Sequence, residues 1–127
     1  MLKLRSVGLR IVIIDDDPSF LATVRVLLEV EGFVVAGEAL NGLDGVAAVA
    51  ELAPDIVLVD VNLPDIDGFE VVARIGDGEG APPAVLTSSR SAGDFGNLIE
   101  KSRARAFITK AEITGEALAK FVDGRAA

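Results

Sequence analysis

Three aspartates in a row, Asp15, Asp16 and Asp17, follow the apolar run Ile11 to Ile14. Asp60 closes a second apolar run that begins at Ile56. Thr87, Ser88 and Ser89 close a third, and Lys110 follows a fourth. Carboxylates gathered within a few ångströms repel one another unless a cation lies among them. An all-oxygen ligand set suits Mg2+, with Mn2+ as the alternative ion. A hydroxyl and an ammonium beside such an ion can hold the oxygens of a phosphoryl group. A carboxylate is itself a nucleophile toward phosphorus, and Asp60 is the one best placed between metal and lysine. Each residue alone also has a plainer role. Asp17 before Pro18 is a helix cap, Thr87 a strand-end hydroxyl, and Lys110 a surface lysine.

Composition narrows the chemistry further. The chain has 127 residues, half of them apolar and a quarter charged, the balance of one soluble domain. There is no Cys and no His, which excludes disulfides, thiolate or imidazole metal sites and Ser-His-Asp catalysis. No Trp or Tyr accompanies the six Phe, a poor stacking platform for single-stranded nucleic acid. The net charge of −8 is uneven: residues 11–89 carry two basic and fifteen acidic side chains. That stretch cannot supply the basic face of a DNA-binding domain. The longest apolar run, Val46 to Ala50, is five residues, against about 20 for a membrane-spanning helix. Lys3, Arg5 and Arg10 precede an apolar run that stops at the aspartates, so the start does not read as a signal peptide.

Two kinds of segment must position these residues. Short β-branched runs at Arg10–Asp15, Phe33–Glu38, Asp55–Asp60, Ala84–Thr87 and Arg105–Thr109 read as strands buried on both faces. Between them lie helical stripes: Phe20, Leu21, Val24, Leu27 and Leu28; Leu43, Val46, Ala47 and Ala50; Phe69, Val72 and Ile75; Phe95, Leu98 and Ile99; Leu118, Phe121 and Val122. Asp17-Pro18 and Asn41 open the first two helices, Gly32 and Pro54 close them, and Thr114 can cap the last. Gly76–Pro83, with three Gly and two Pro, is a surface loop. This (βα)5 alternation implies an α/β fold with a parallel sheet and helices on both faces. All strands then end at one edge, where ligands bind, and that edge collects Asp15, Asp16, Asp60, Thr87 and Lys110 if strands one, three, four and five are neighbours.

From Leu9 to about Val122 the chain resembles a response regulator receiver domain, the phosphoacceptor of two-component signalling. The likeness rests on Ile11-Val-Ile-Ile-Asp-Asp-Asp-Pro18, Asp55-Ile-Val-Leu-Val-Asp-Val-Asn-Leu-Pro64, Asp67-Gly68, Val85-Leu-Thr-Ser-Ser89 and Phe107-Ile-Thr-Lys110, in this order and spacing. It implies a doubly wound, flavodoxin-like five-stranded sheet of order 2-1-3-4-5, here a single receiver domain (1–127, core about 9–122) with no output domain in the chain. It implies that Asp60 is phosphorylated by a sensor histidine kinase or phosphotransfer protein. Asp16 then binds Mg2+ directly, Asp15 largely through water, and Asn62 through its backbone carbonyl. Thr87 and Lys110 hold the phosphoryl oxygens, and Phe107 stands at the family's aromatic switch. The expected partners are that kinase and a downstream protein or output domain, or a second copy of the chain once phosphorylated. They meet the face of the fourth helix, fifth strand and fifth helix, in the cytoplasm, without direct nucleic-acid or membrane binding.

The chain departs from the family pattern where Ala111 follows the lysine in place of Pro. Arg103 and Ala106 also stand where Gly commonly ends the fourth helix. Other readings stay open. A haloacid-dehalogenase-type phosphatase also uses an Asp nucleophile and Mg2+ at a parallel-sheet edge, but it wants an acid–base Asp two residues on, where Asn62 cannot transfer a proton. A flavodoxin-like cofactor domain would find three aspartates at its phosphate loop repulsive to FMN. A receiver-like module that only binds partners is the third alternative.

Overall fold

The structure, a computed structural model, describes residues 7–126, with side chains to 122; Lys3 and Arg5 lie outside the described residues. Five parallel strands stand in the order 2-1-3-4-5: β1 Arg10–Ile14, β2 Val34–Ala39, β3 Ile56–Asp60, β4 Ala84–Ser88 and β5 Ala106–Thr109. Five helices connect and follow them: α1 Pro18–Val30, α2 Gly42–Leu52, α3 Gly68–Ile75, α4 Leu98–Lys101 and α5 Gly115–Ala126. This is the doubly wound, flavodoxin-like α/β fold. Its strands start and stop within two residues of the runs read from the sequence.

The central strands are continuous because both faces are covered. Ile11, Ile13 and Leu58 meet Leu21, Val24 and Leu28 of α1 and Leu118 of α5. Val12, Ile14, Val57 and Val59 meet Val49 of α2 and Val71 and Val72 of α3. Each such side chain contributes about 1.5–3 kcal/mol by leaving water. The edges behave differently. Val34 and Glu38 of β2 are exposed, and every residue of β5 is half-buried. The continuous apolar runs of β2 and β5 predict full burial, but an edge strand has a neighbour on one side only and is covered less completely.

Short polar side chains fix where the helices begin. The Asp17 carboxylate accepts from Ser19 N at 3.0 Å, Asn41 from Asp44 N at 2.8 Å, Asp67 from Glu70 N at 2.9 Å and Thr114 from Ala117 N at 3.0 Å. Each satisfies an amide that has no partner within its helix. Gly32, at φ +99°, follows the last turn of α1.

The fourth helical stripe is the main departure. Instead of one helix, Ala92–Phe95 forms a 3-10 turn and α4 is a single α turn. Gly96 between them sits at φ +59°. Gly93 and Gly96 each cost a helix about 1 kcal/mol relative to Ala, and no other residue from Ser89 to Leu98 but Phe95 is even half-buried. The turn into β5 also adjusts: neither Arg103 nor Ala106 adopts a left-handed conformation. Among the described residues, Ala53 is the non-glycine with positive φ, at the end of α2.

One glycine matters directly to the strand edge that carries Asp60. A Cβ at Gly68 would collide with the Asp60 carbonyl oxygen and stand 2.8 Å from Val61 Cα. The Gly68 amide donates to Val61 O at 2.8 Å, so α3 begins pressed against the end of β3. Gly78, by contrast, faces open space. Gly68→Ala is expected to lower the unfolding free energy by at least about 2 kcal/mol, as backbone overpacking does. Gly78→Ala should stay within about 0.5 kcal/mol of the parent chain. Urea unfolding of the two variants checks the contrast.

Candidate functional site

Strand register brings the chemical residues together. Ile14 pairs with Val59, so Asp15 and Asp60 follow side by side at the ends of β1 and β3. Asp60 pairs with Thr87 of β4, and Ser88 pairs with Thr109, leaving Lys110 just past the end of β5. Four elements thus deliver a carboxylate pair, a hydroxyl and an ammonium to one edge. Asp16, one residue beyond Asp15, completes a group of three carboxylates with one oxygen from each lying within 4.8 Å of the others. Asp15 and Asp60 are buried, and Asp16 faces solvent.

The Lys110 ammonium compensates the buried charges. Its Nζ lies 2.9 Å from Asp15 Oδ2 and 3.5 Å from Asp60 Oδ2. Asp15 Oδ1 accepts from the Asp17 amide at 2.9 Å, which ties the first carboxylate to the entry of α1. Burial, and then the neighbouring charge of Asp15, push the Asp60 carboxyl up from 3.8 to about 6; Lys110 and the Asn62 amide pull the other way. Burial acts to lower the Lys110 pKa, but the hydrogen bond to Asp15 and the charge of both carboxylates outweigh it and hold the ammonium above its ordinary range.

The donor set fits a hard divalent cation. Three carboxylates face one lysine, and all the candidate ligands are oxygens. A buried polar atom also lacks a partner: among the described residues the Thr87 Oγ1 hydroxyl has no hydrogen bond. Such groups are costly unless something else completes them.

The remaining residues singled out in the sequence fall around this cluster. Asn62 is exposed on the β3–α3 loop, with its amide directed to Asp60. Phe107 is half-buried beside Leu86, its ring 5.7 Å from that of Phe95, which in turn lies 6.0 Å from Phe69. Ala111 belongs to a 3-10 turn, Lys110–Glu112, that leads from the lysine toward α5. Two contacts carry no clear signature in the sequence. The Asp65 carboxylate accepts from Gly42 N at 2.7 Å and Leu43 N at 2.8 Å, fastening the β3–α3 loop to the start of α2. The Phe20 ring lies 4.2 Å from Lys110 Nζ. In the sequence Phe20 is simply part of an apolar stripe. The available signal was its place in the first turn of the helix that follows the aspartates.

Known proteins share this fold. The response regulator receiver domain family model matches residues 11–122. The virulence-factor transcription regulator BvgA of Bordetella pertussis is 47% identical over 66 residues, 52% of this chain and 32% of the relative. A protein-glutamate methylesterase/protein-glutamine glutaminase of Hahella chejuensis is 36% identical over 84 residues, 66% of this chain and 24% of the relative. The crystal structure of the signal receiver domain of a modulated diguanylate cyclase from Desulfovibrio desulfuricans superposes with a TM-score of 0.76 at 28% identity, covering 92% of each chain. This chain therefore belongs to the response regulator receiver domains of two-component signalling. It spans a third or less of these two curated relatives, whose outputs differ from each other, so family membership alone assigns no output.

The raised Asp60 pKa has a measurable sign. The folded chain holds a proton on Asp60 that the unfolded chain releases near pH 4, so this group's stabilising contribution is complete below that pH. It is lost as pH rises through about 6. In metal-free buffer at pH 7, Asp60→Asn should therefore be more stable than the parent by on the order of 1–3 kcal/mol. The gain should vanish near pH 4, where both side chains are neutral. Denaturant titrations across this range test it.

Proposed function

We propose that this chain is the phosphoacceptor of a two-component pathway, taking a phosphoryl group onto Asp60 from a phosphohistidine of a sensor histidine kinase or phosphotransfer protein. The observation that carries this is a buried Asp60 carboxylate with the Lys110 ammonium at 3.5 Å and the carboxylates of Asp15 and Asp16 beside it. Asp15, Asp16, Asp60 and the backbone carbonyl of Asn62 would hold Mg2+, which when bound neutralises their repulsion and polarises the phosphoryl oxygens. An Asp60 oxygen forms the new bond to phosphorus as the phosphorus–nitrogen bond to the donor imidazole breaks. With its pKa at about 6, Asp60 is largely ionised at neutral pH and available as the nucleophile. Lys110 turns from Asp15 to a phosphoryl oxygen.

Thr87 supplies the readout. Its buried, unpartnered hydroxyl sits beside Asp60 in the sheet, and a phosphoryl oxygen is a stronger acceptor than a neutral group. The inward movement of Thr87 makes room that Phe107 fills, reshaping the face of α4, β5 and α5. Basic residues on this face suit an acidic partner, an attached output domain or a second copy of the chain. Arg90 is shared with Asp94 and the Phe95 ring, Arg103 with Asp77, and Arg105 donates to the Phe121 carbonyl at 2.8 Å. The coupling available is about 1–3 kcal/mol. Among the described residues no helix is long and apolar enough to cross a membrane. As a phosphoacceptor the chain acts in the cytoplasm, as a signalling domain rather than a turnover enzyme.

With Mg2+ and acetyl phosphate the intact mass should rise by one phosphoryl group, labile to hydroxylamine. Asp60→Ala should abolish the gain; an unchanged gain in that variant overturns the assignment. Sustained turnover of p-nitrophenyl phosphate that depends on Asp60 would favour the phosphatase reading. Thr87→Ala should still accept the phosphoryl group yet lose most of the chemical-shift change around Phe107 and α4. Equal changes in the variant and the parent would separate Thr87 from the switch while leaving Asp60 in place.

A further inference from the structure

Lysine is a poor fixture by itself. Its ammonium is strongly hydrated, and its stem has four rotatable bonds. Yet Lys110 holds Nζ inside the cluster with only 21% of its side chain exposed. Besides the two carboxylates, the aromatic ring of Phe20 faces it, with Nζ 4.2 Å from the ring centroid. That is close for a cation over a ring, and the ring face carries the negative end of the quadrupole.

Phe20 is held in register with the carboxylates. The Asp17 amide donates to Asp15 Oδ1 at 2.9 Å, and Asp17 Oδ1 accepts from Ser19 N at 3.0 Å and Ser19 Oγ at 2.8 Å. These bonds fix the first turn of α1, which carries Phe20, to Asp15. The ring is half-buried and packs on the core that α1 and α5 form with the sheet. The ammonium thus has a seat built from Asp15 on β1, Asp60 on β3 and Phe20 on α1.

We infer that Phe20 is a positioning residue for Lys110: its ring face keeps the ammonium within the site and lets it slide from Asp15 toward a phosphoryl oxygen on Asp60. A ring face attracts a cation over its whole area, whereas a hydrogen-bond acceptor holds a donor in one direction. A third carboxylate at this place would hold Lys110 back; an aliphatic side chain would let it swing into water. The inference rests on the phosphoacceptor reading of Asp60.

The test replaces Phe20 site-specifically with 4-fluoro-, 3,5-difluoro- and 3,4,5-trifluorophenylalanine, which withdraw charge from the ring face while nearly preserving its shape. In the parent chain without metal, the Lys110 Cε protons should resonate upfield through the ring current. They should return toward ordinary lysine positions along the series, with the unfolding midpoint unchanged. With Mg2+ present, the rate of mass gain from acetyl phosphate should fall steadily, by about three- to tenfold at the trifluoro variant. If the parent is phosphorylated but its rate and the Lys110 shifts stay flat along the series, Phe20 is mere packing and the inference is overturned. If the parent gains no phosphoryl mass, the phosphoacceptor reading itself falls, and the positioning role with it.

Discussion

Two carboxylates buried at the end of a parallel sheet, with one ammonium to serve both, set the terms for the rest of this molecule. Asp15 and Asp60 end adjacent strands, and Lys110 reaches them from the far side of β4. The arrangement works only if β1, β3, β4 and β5 finish at the same level, because one residue of slip would turn a carboxylate into the apolar core. Val57, Val59, Ile13 and Ile14, packed on both faces, hold the strands at that level. The hydrophobic layers are therefore also the alignment device of the polar site. Burial and the neighbouring charge of Asp15 raise the Asp60 pKa, and Lys110, closer to Asp15 than to Asp60, offsets this only in part.

Around this edge, the loops after β1, β2 and β3 are tied by polar groups or close backbone packing. Asp17 closes onto Ser19 and Asp15, Asp65 bridges to two amides of α2, and Gly68 lets α3 start against the Asp60 carbonyl. The site is thus preorganised on three connections, while the fourth, after Thr87, carries few anchors. This division suits a domain whose chemistry needs fixed geometry and whose output needs a surface that changes.

Much of this was legible in the sequence, for physical reasons that differ between elements. The Ile11–Ile14 and Ile56–Val59 runs could hardly be anything but doubly covered strands, and the residues that follow them had to share an edge. Asp17, Asn41 and Thr114 declared helix starts because their short side chains satisfy free amides. What stayed hidden depended on contacts between distant segments. Asp65 acts 22 and 23 residues away in sequence, and nothing local distinguishes it from a solvated turn carboxylate. Phe20 fits an apolar stripe whether or not a lysine lies over it. The fourth stripe, Phe95, Leu98 and Ile99, has helical spacing, but Gly93 and Gly96 outweigh it. Periodicity reports which face could be buried, and the glycines decide whether the backbone keeps the geometry to bury it.

The broken fourth helix has a consequence for local stability. From Ser89 to Leu98 a single side chain, Phe95, is half-buried, with Ile99 the next to join the body. Displacing α1 would expose Leu21, Val24 and Leu28 to water, whereas displacing this segment gives up little more than the two ring contacts of Phe95, with Phe69 and Phe107. The opening free energies of the two segments must therefore differ widely, since local opening costs what the contacts of that segment are worth. Little of this segment, which lies beside the hydroxyl at the end of β4, is anchored in the core. A small change of energy at the strand edge would be absorbed there as a change in the population of that segment, long before it could strain the sheet.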